Sequence, residues 1–217
     1  MRLLTVPGVF RPRSDAWLLA GLLPSRLVPG GAALDVFTGS GVLAVAAAQA
    51  GAGPVTAIDL SRRAVVCARM NARLNGVDVR ALRGDLFAPI ASDRFDAILA
   101  NPPYLPGADD GLSARGAGRA WEGGRDGRAL LDRLCSEAPA HLRPGGELLL
   151  MQSSLAGVDP TLMRLGEAGL SPEVVTRRRG PLGPLVAARA PMLEARGLLA
   201  PGVREEELVV VSARRNP

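Results

Sequence analysis

The stretch Leu34-Asp35-Val36-Phe37-Thr38-Gly39-Ser40-Gly41 runs from an apolar segment, through a carboxylate, into a glycine turn, and an Ala-rich helical segment follows it. That is a strand, a tight turn and a helix start. Glycines in such a turn let a ligand approach the backbone, and the helix start offers N–H groups without partners of their own. A nucleotide-like cofactor is expected there. Gly39-x-Gly41-x-x-Ala44 also satisfies the dinucleotide fingerprint, with Asp59 near the distance of a ribose-binding acid, so the turn alone leaves the cofactor open.

The alternation of strand and helix continues outward, which predicts an α/β fold with a parallel sheet covered on both faces. Strands are expected at 33–37, 55–59, 77–82 and 95–100, and helices at 14–23, 41–50 and 61–74. Ser14 and Asp15 cap the first helix and Pro24 ends it; Asn75-Gly76 stops the third. A Gly-rich polar stretch then runs from Asn101 to Gly127, too long for an ordinary connector and therefore functional. A helix at 128–142, a strand at 147–152, a helix at 159–168 and a strand pair at 174–176 and 208–211 complete the pattern. Residues 180–202, Pro-rich with a helical piece around 186–196, read as an insertion in that last hairpin. The sum is seven strands and about six helices, with no internal repeat.

A chain of 217 residues favours one domain over 1–217, with an N-terminal arm and helix over 1–31. With 47% apolar and only 3% aromatic residues, its core must be built from Ala, Val and Leu. No apolar run approaches the ~20 residues of a membrane span, and Pro7 interrupts the N-terminus before a signal core forms, so a soluble, cytoplasmic protein without a membrane partner is expected. All 26 basic residues are Arg, and without Lys a formal charge of +5 is enough to give a pI of about 10.7. The arginines are scattered except at Arg177-Arg178-Arg179, which read equally as a face for an acidic partner or as a solvated sheet edge. Cys67 and Cys135 read as buried reduced thiols. His141 is the single histidine, so a two-His zinc site cannot form, and no metal is expected.

Asp35 helps to choose the cofactor. A carboxylate just ahead of the turn repels a pyrophosphate but attracts an ammonium group, which S-adenosylmethionine has and NAD lacks. Asp59 at the end of the second strand suits ribose hydroxyls, and Asp85, in Gly84-Asp85-Leu86-Phe87 after the third, suits an adenine amino group. Any one of these acids could simply cap the turn that follows it; three at successive strand ends make one crevice.

After the fourth strand stands Asn101-Pro102-Pro103-Tyr104. The prolines stiffen the backbone and remove two donors, leaving the Pro102 carbonyl and the Asn101 side-chain oxygen as fixed acceptors. Such a pair suits an NH2 group. An amide or nucleobase nitrogen is a poor nucleophile because its lone pair is delocalised, and holding both hydrogens aims its face at a sulfonium methyl at about 3–3.5 Å. Tyr104 would stack on the planar acceptor. The alternative, a rigid Pro-Pro turn with Asn as a local cap, is disfavoured by the position beside the crevice.

These residues resemble class I S-adenosylmethionine-dependent methyltransferases acting on amino nitrogens, and among them the HemK family of protein-glutamine methyltransferases. Val9-Phe10-Arg11-Pro12-Arg13-Ser14-Asp15 and the stretch from Ala120 through Trp121, Gly123, Gly124 and Asp126 to Arg128 resemble the short branch that methylates release factors in eukaryotes and archaea. The resemblance implies a Rossmann-like seven-stranded sheet with its last strand antiparallel. It places Phe10, Pro12, Asp35, Phe37, Thr38, Gly39, Gly41, Asp59, Leu60, Asp85, Leu86 and Asn101 on S-adenosylmethionine, whose product is S-adenosylhomocysteine. It puts Asn101, Pro102, Pro103 and Tyr104 on the acceptor, and makes Trp121, Gly123, Gly124 and Asp126 a substrate loop or lid. The implied partners are a protein substrate such as a release factor and a small activator subunit, with nucleic acid left open. No counterpart of the N-terminal docking domain of bacterial HemK enzymes is read here. The rivals are a methyltransferase for the exocyclic amine of a nucleobase, a non-catalytic binding subunit and an NAD-dependent reductase.

Overall fold

The computed structural model describes residues 1–107 and 117–217. The chain enters through α1 (Ser14–Arg26), then alternates β1 (Ala33–Val36), α2 (Val42–Gln49), β2 (Val55–Asp59), α3 (Arg62–Leu74), β3 (Arg80–Arg83) and β4 (Phe95–Ala100). After the acceptor-side loop come α4 (Ala129–Glu137), β5 (Leu142–Ser153), α5 (Val158–Glu167) and β6 (Leu170–Pro181). Two short helices, α6 (Pro184–Ala187) and α7 (Ala190–Ala195), precede β7 (Glu205–Arg215).

The seven strands form one sheet in the order β3-β2-β1-β4-β5-β7-β6. The first five pair in parallel, and β7 runs antiparallel to both β5 and β6, as expected for the last strand. β1 and most of β4 are buried, as near-continuous apolar runs at the centre of a doubly covered sheet must be. The strand order reverses at β1, where the chain steps out to β2 and β3 and returns to β4 on the other side. Val36 is in register with Ile58 and with Ala100, so Phe37, Asp59 and Asn101 emerge at one level. A crevice at such a switch point is where ligands bind in open α/β sheets.

Several element boundaries differ from the sequence expectation for physical reasons. Pro24 lies inside α1: the helix continues to Arg26, and the Leu27 N–H donates to Leu23. The proline is on the exposed side, where the Ala20 carbonyl it leaves without an amide partner can turn to water. Neither Ser14 nor Asp15 is the N-cap; Arg13 is, without a side-chain cap bond. The helix expected at 128–142 stops at Glu137 and tightens into a 3-10 turn over Ala138–His141, because Pro139 has no N–H to continue it. The strand expected at 77–82 is the shorter β3.

The last hairpin is much longer than 174–176 and 208–211, and diagonal ion pairs Arg177–Glu207 and Arg179–Glu205 hold its charged end. Two of the three consecutive arginines are thereby paired within the chain, and Arg178 donates to the Ser14 carbonyl. The insertion sits in that hairpin as expected, but as two helices with a small apolar cluster of their own. Both cysteines are free and buried, and burial pushes the Cys135 thiol up to about 12. His141 stacks on Phe87 at 4.4 Å, away from the crevice residues. Among the described residues no helix is long and apolar enough to cross a membrane.

Candidate active site

A hollow of about 950 Å³ opens at the carboxyl ends of β1, β2 and β4. Its floor is the glycine turn. Gly39 has φ +53° and Gly41, the N-cap of α2, has φ +84°. A Cβ on Gly41 would stand 2.8 Å from the Ala68 Cα in α3, so this glycine serves helix packing as well as backbone freedom. Among the described residues, the non-glycine residues with positive φ are Phe37 (64°) and Leu86 (47°), and both line the hollow. Backbone strain of this kind concentrates where a ligand is held.

The three acids behave differently. Asp59 lines the hollow, its Oδ2 accepting from the Gly39 N–H (2.9 Å) and its Oδ1 from the Ser61 N–H (2.8 Å). A carboxylate at this place can also accept from ligand hydroxyls. Asp35 does not line the hollow. It is fully buried beneath the turn, where Oδ2 accepts from the Thr38 hydroxyl (2.5 Å) and the Ala44 N–H (3.0 Å). It therefore organises the turn from below, and burial, opposed by those two bonds and aided by the Asp59 charge, pushes its carboxyl up to about 7. Asp85 is at the rim, half-exposed and paired with Arg133 at 3.1 Å, so an adenine amine would have to share it with a guanidinium.

The N-terminal arm closes one side: Phe10, Pro12 and Asp15 line the hollow, together with Phe37, Thr38, Leu60 and Leu86. Phe10 lies 5.8 Å from the Trp121 ring and carries the Arg13 guanidinium over its own face. Asp15, expected from the sequence as a helix cap and as the end of the N-terminal arm, meets the acceptor step directly. Its Oδ2 accepts from Asn101 Nδ2 (3.1 Å) and from the Tyr104 hydroxyl (3.0 Å). A carboxylate can only accept, so it fixes which end of the Asn101 amide is nitrogen and leaves Oδ1 as the outward acceptor. Among the described residues neither Asn101 Oδ1 nor the Pro102 carbonyl receives a hydrogen bond.

Tyr104 is not an open stacking platform: it is buried, and it lines a neighbouring hollow rather than this one. Burial first, then the Asp15 charge, hold its phenol well above the ordinary value. Asn101 and Pro103 line the main hollow; Pro102 between them is buried and does not.

Trp121, Gly123, Gly124 and Asp126 do not line the hollow; their neighbours Ala120 and Glu122 do. The loop instead ties itself to the exit of the Asn-Pro-Pro-Tyr step, with Leu105 N–H to Trp121 O, Gly123 N–H to Leu105 O and Gly107 N–H to Gly124 O, all at 2.8–2.9 Å. Asp126 accepts from the Arg128 N–H and so belongs to the entry of α4. The remainder of the expected functional loop, 108–116, lies outside the described residues.

The sequence family described as the methyltransferase small domain matches residues 1–115. A Methanocaldococcus jannaschii protein named as an N5-glutamine methyltransferase is 35% identical over 85% of this chain and 92% of its own length. The chain belongs to this methyltransferase family. The Gloeobacter violaceus release factor glutamine methyltransferase is 37% identical over 71% of this chain, and this HemK-type methyltransferase spans only 56% of that longer relative. In fold it is similar to the E. cuniculi Mtq2 solved with Trm112, with a TM-score of 0.66 at 20% identity over 96% of this chain and 99% of that one.

S-adenosylmethionine is the cofactor of this methyltransferase class, and the residues present fit it. The hollow has the volume of a nucleoside site. The α2 start offers N–H groups, Asp59 offers carboxylate oxygens, and Asp35 Oδ1 and Ser40 Oγ are buried polar atoms without partners beside the turn.

Proposed function

We propose that this N-methyltransferase modifies the side-chain amide of a glutamine in a protein substrate of the release-factor kind. What supports the reading is Asn101 at the lip of the hollow, its amide oriented by Asp15, followed directly by the Pro102 carbonyl, which receives no hydrogen bond among the described residues. The names of the relatives support the glutamine, and the Trm112 partner of the structural neighbour supports a small activator subunit. Residues 1–217 are read as one catalytic domain, in keeping with an apolar core that runs from Ala16 in α1 to Ala213 in β7.

When bound, S-adenosylmethionine supplies an electrophilic methyl group on sulfur. The chain supplies position. Asn101 Oδ1 and the Pro102 carbonyl accept the two amide hydrogens, presenting the face of a planar nitrogen to the hollow. Pro103 makes the step stiff, and Tyr104 anchors it through Asp15. The nitrogen gains the methyl as the methyl–sulfur bond breaks, with S-adenosylhomocysteine as leaving group; the alkylated nitrogen is strongly acidic and then loses its proton, so one N–H has become N–CH3 and no basic side chain is required. Phe10, Pro12, Phe37, Thr38, Gly39, Asp59, Leu60, Asp85 and Leu86 are assigned to the cofactor, and Asp35 and Gly41 to the turn that holds it.

Asn101→Ala should lower kcat by about a hundredfold or more while S-adenosylmethionine affinity, measured by calorimetry, changes less than about threefold. A collapse of cofactor binding with normal turnover per bound cofactor would refute the clamp. The acceptor class is tested by transferring a radiolabelled methyl group into a lysate: label that survives nuclease and is lost to protease supports the protein acceptor, and the reverse assigns a nucleobase amine.

A further inference from the structure

The insertion between β6 and β7 has no part in the cofactor hollow, yet it is fastened to the loop that leaves the acceptor clamp. Leu182, Val186, Ala190, Leu193 and Leu199 bury one another against Leu155, and Leu105, the residue after Tyr104, packs on that cluster. Arg189 and Arg196 bound α7 at its two ends. Arg189 pairs with Glu122, on the second limb of the loop, and donates to the Pro106 carbonyl on the first at 3.0 Å. Arg196 repeats the pattern, donating to the Gly107 carbonyl (2.7 Å) and to the Arg125 carbonyl (3.2 Å).

Each guanidinium therefore joins both limbs of one loop, Arg189 with the two terminal nitrogens of its planar fork and Arg196 through one of them. The Arg189–Glu122 pair is largely shielded, with side-chain exposures of 23% and 14%, so solvent screens it less than a surface pair. Glu122, like Ala120, also lines the hollow. Among the described residues these bonds fasten the residues immediately beyond Tyr104, and none of them is made to the glycine turn, Asp59 or Asp35.

We infer that the β6–β7 insertion is a brace that sets acceptor binding, with Arg189 as its positioning residue. The inference rests on the reading above only in placing the acceptor beside Asn101. It separates two properties of the enzyme: cofactor affinity resides in the β1–β2–β3 ends and the N-terminal arm, and acceptor affinity depends on α7, which the sheet core does not contain.

The test uses the full chain and the label assay with a dilution series of dialysed lysate from cells lacking the gene. The half-saturating lysate concentration then serves as an apparent acceptor KM whatever the acceptor is. Arg189→Ala should raise it about tenfold or more, with kcat within about threefold and calorimetric S-adenosylmethionine affinity within about twofold of wild type. Arg189→Lys restores a charge but not the fork, and should recover only part of the loss. Arg196→Ala, the second variant, should shift the same parameter in the same direction.

In a Trp17→Phe background, Trp121 reports the loop directly by fluorescence, and its emission should change in Arg189→Ala. An unchanged half-saturation in both Ala variants, or a parallel loss of cofactor affinity, would overturn the brace. Protease-resistant, nuclease-sensitive label would overturn the glutamine reading and leave the brace standing on its own parameter.

Discussion

At the residue scale, the site depends on a few positions whose neighbours are fixed by more than one demand. Gly39 and Gly41 illustrate the difference. A Cβ at Gly39 meets only the Phe37 carbonyl at 4.0 Å, whereas at Gly41 it meets α3 at 2.8 Å. Gly39→Ala should leave the fold within about 1 kcal/mol and weaken S-adenosylmethionine, while Gly41→Ala should cost about 2–4 kcal/mol in urea denaturation. Asp15 acts through Asn101. Asp15→Leu should lower kcat about ten- to a hundredfold by freeing the Asn101 amide to turn, and Tyr104→Phe, which keeps the carboxylate, should cost much less; steady-state kinetics of both variants would decide. Asp35 gives a pH signature. Its folded carboxyl titrates near 7 and an unfolded one near ~4, so the folded state holds the extra proton between them. Stability from this group is therefore present below that window, falls as pH rises through it and is flat above it. Asp35→Asn should remove that component, so its stability relative to wild type should rise between pH 5 and pH 8; no change in the difference would exclude a raised Asp35.

At the scale of elements, what could be read from the sequence was whatever is local. The glycine turn, the strand ends at Asp35 and Asp59 and the Asn-Pro-Pro-Tyr step are contiguous, and their chemistry shows in a few residues. Asp15 was invisible as a clamp because its partners are 86 and 89 positions away. The Arg189–Glu122 pair spans 67 positions and is hidden for the same reason. β6 and β7 looked short because the far end of one is a run of Arg (177–179) and that of the other a run of Glu (205–207), patterns that read as loop until cross-strand pairing neutralises them. That Asp85 shares its carboxylate with Arg133 could not be read, because nothing in the local sequence brings the two together. Arg128 is another long-range join, between the start of α4 and the start of α5. One nitrogen donates to the Ala156 and Gly157 carbonyls and to Thr161 Oγ1, and the other to Asp132. Arg128→Ala would leave buried acceptors without donors, and should cost about 2–4 kcal/mol. Arg128→Lys should recover at most part of it, because one ammonium cannot reproduce the fork; urea midpoints of the two variants test the order.

At the scale of the whole molecule, two apolar clusters of unequal size imply two levels of cooperativity. The large one joins α1, the sheet and α2 to α5, and the small one belongs to the insertion, with Leu105 packed against both. A unit with few buried contacts of its own opens at lower free energy than the sheet it is attached to. The Leu198 and Leu199 amides, both bonded to the Leu193 carbonyl, should therefore exchange with solvent by local opening that low urea does not accelerate. Amides of β1 and β4 should exchange only through global unfolding. Saturating S-adenosylmethionine sharpens the contrast. A ligand that binds the folded sheet raises the free energy of every opening that destroys its site, by about 2.7 kcal/mol at a hundred times Kd. The insertion can open while the glycine turn and Asp59 stay in place, so its protection should hardly change while that of β1 and β4 rises by the full amount. If cofactor slowed exchange at Leu198 and Leu199 as much as in β1, the insertion would be part of the cooperative unit that holds the cofactor, and acceptor and cofactor binding could not be tuned separately.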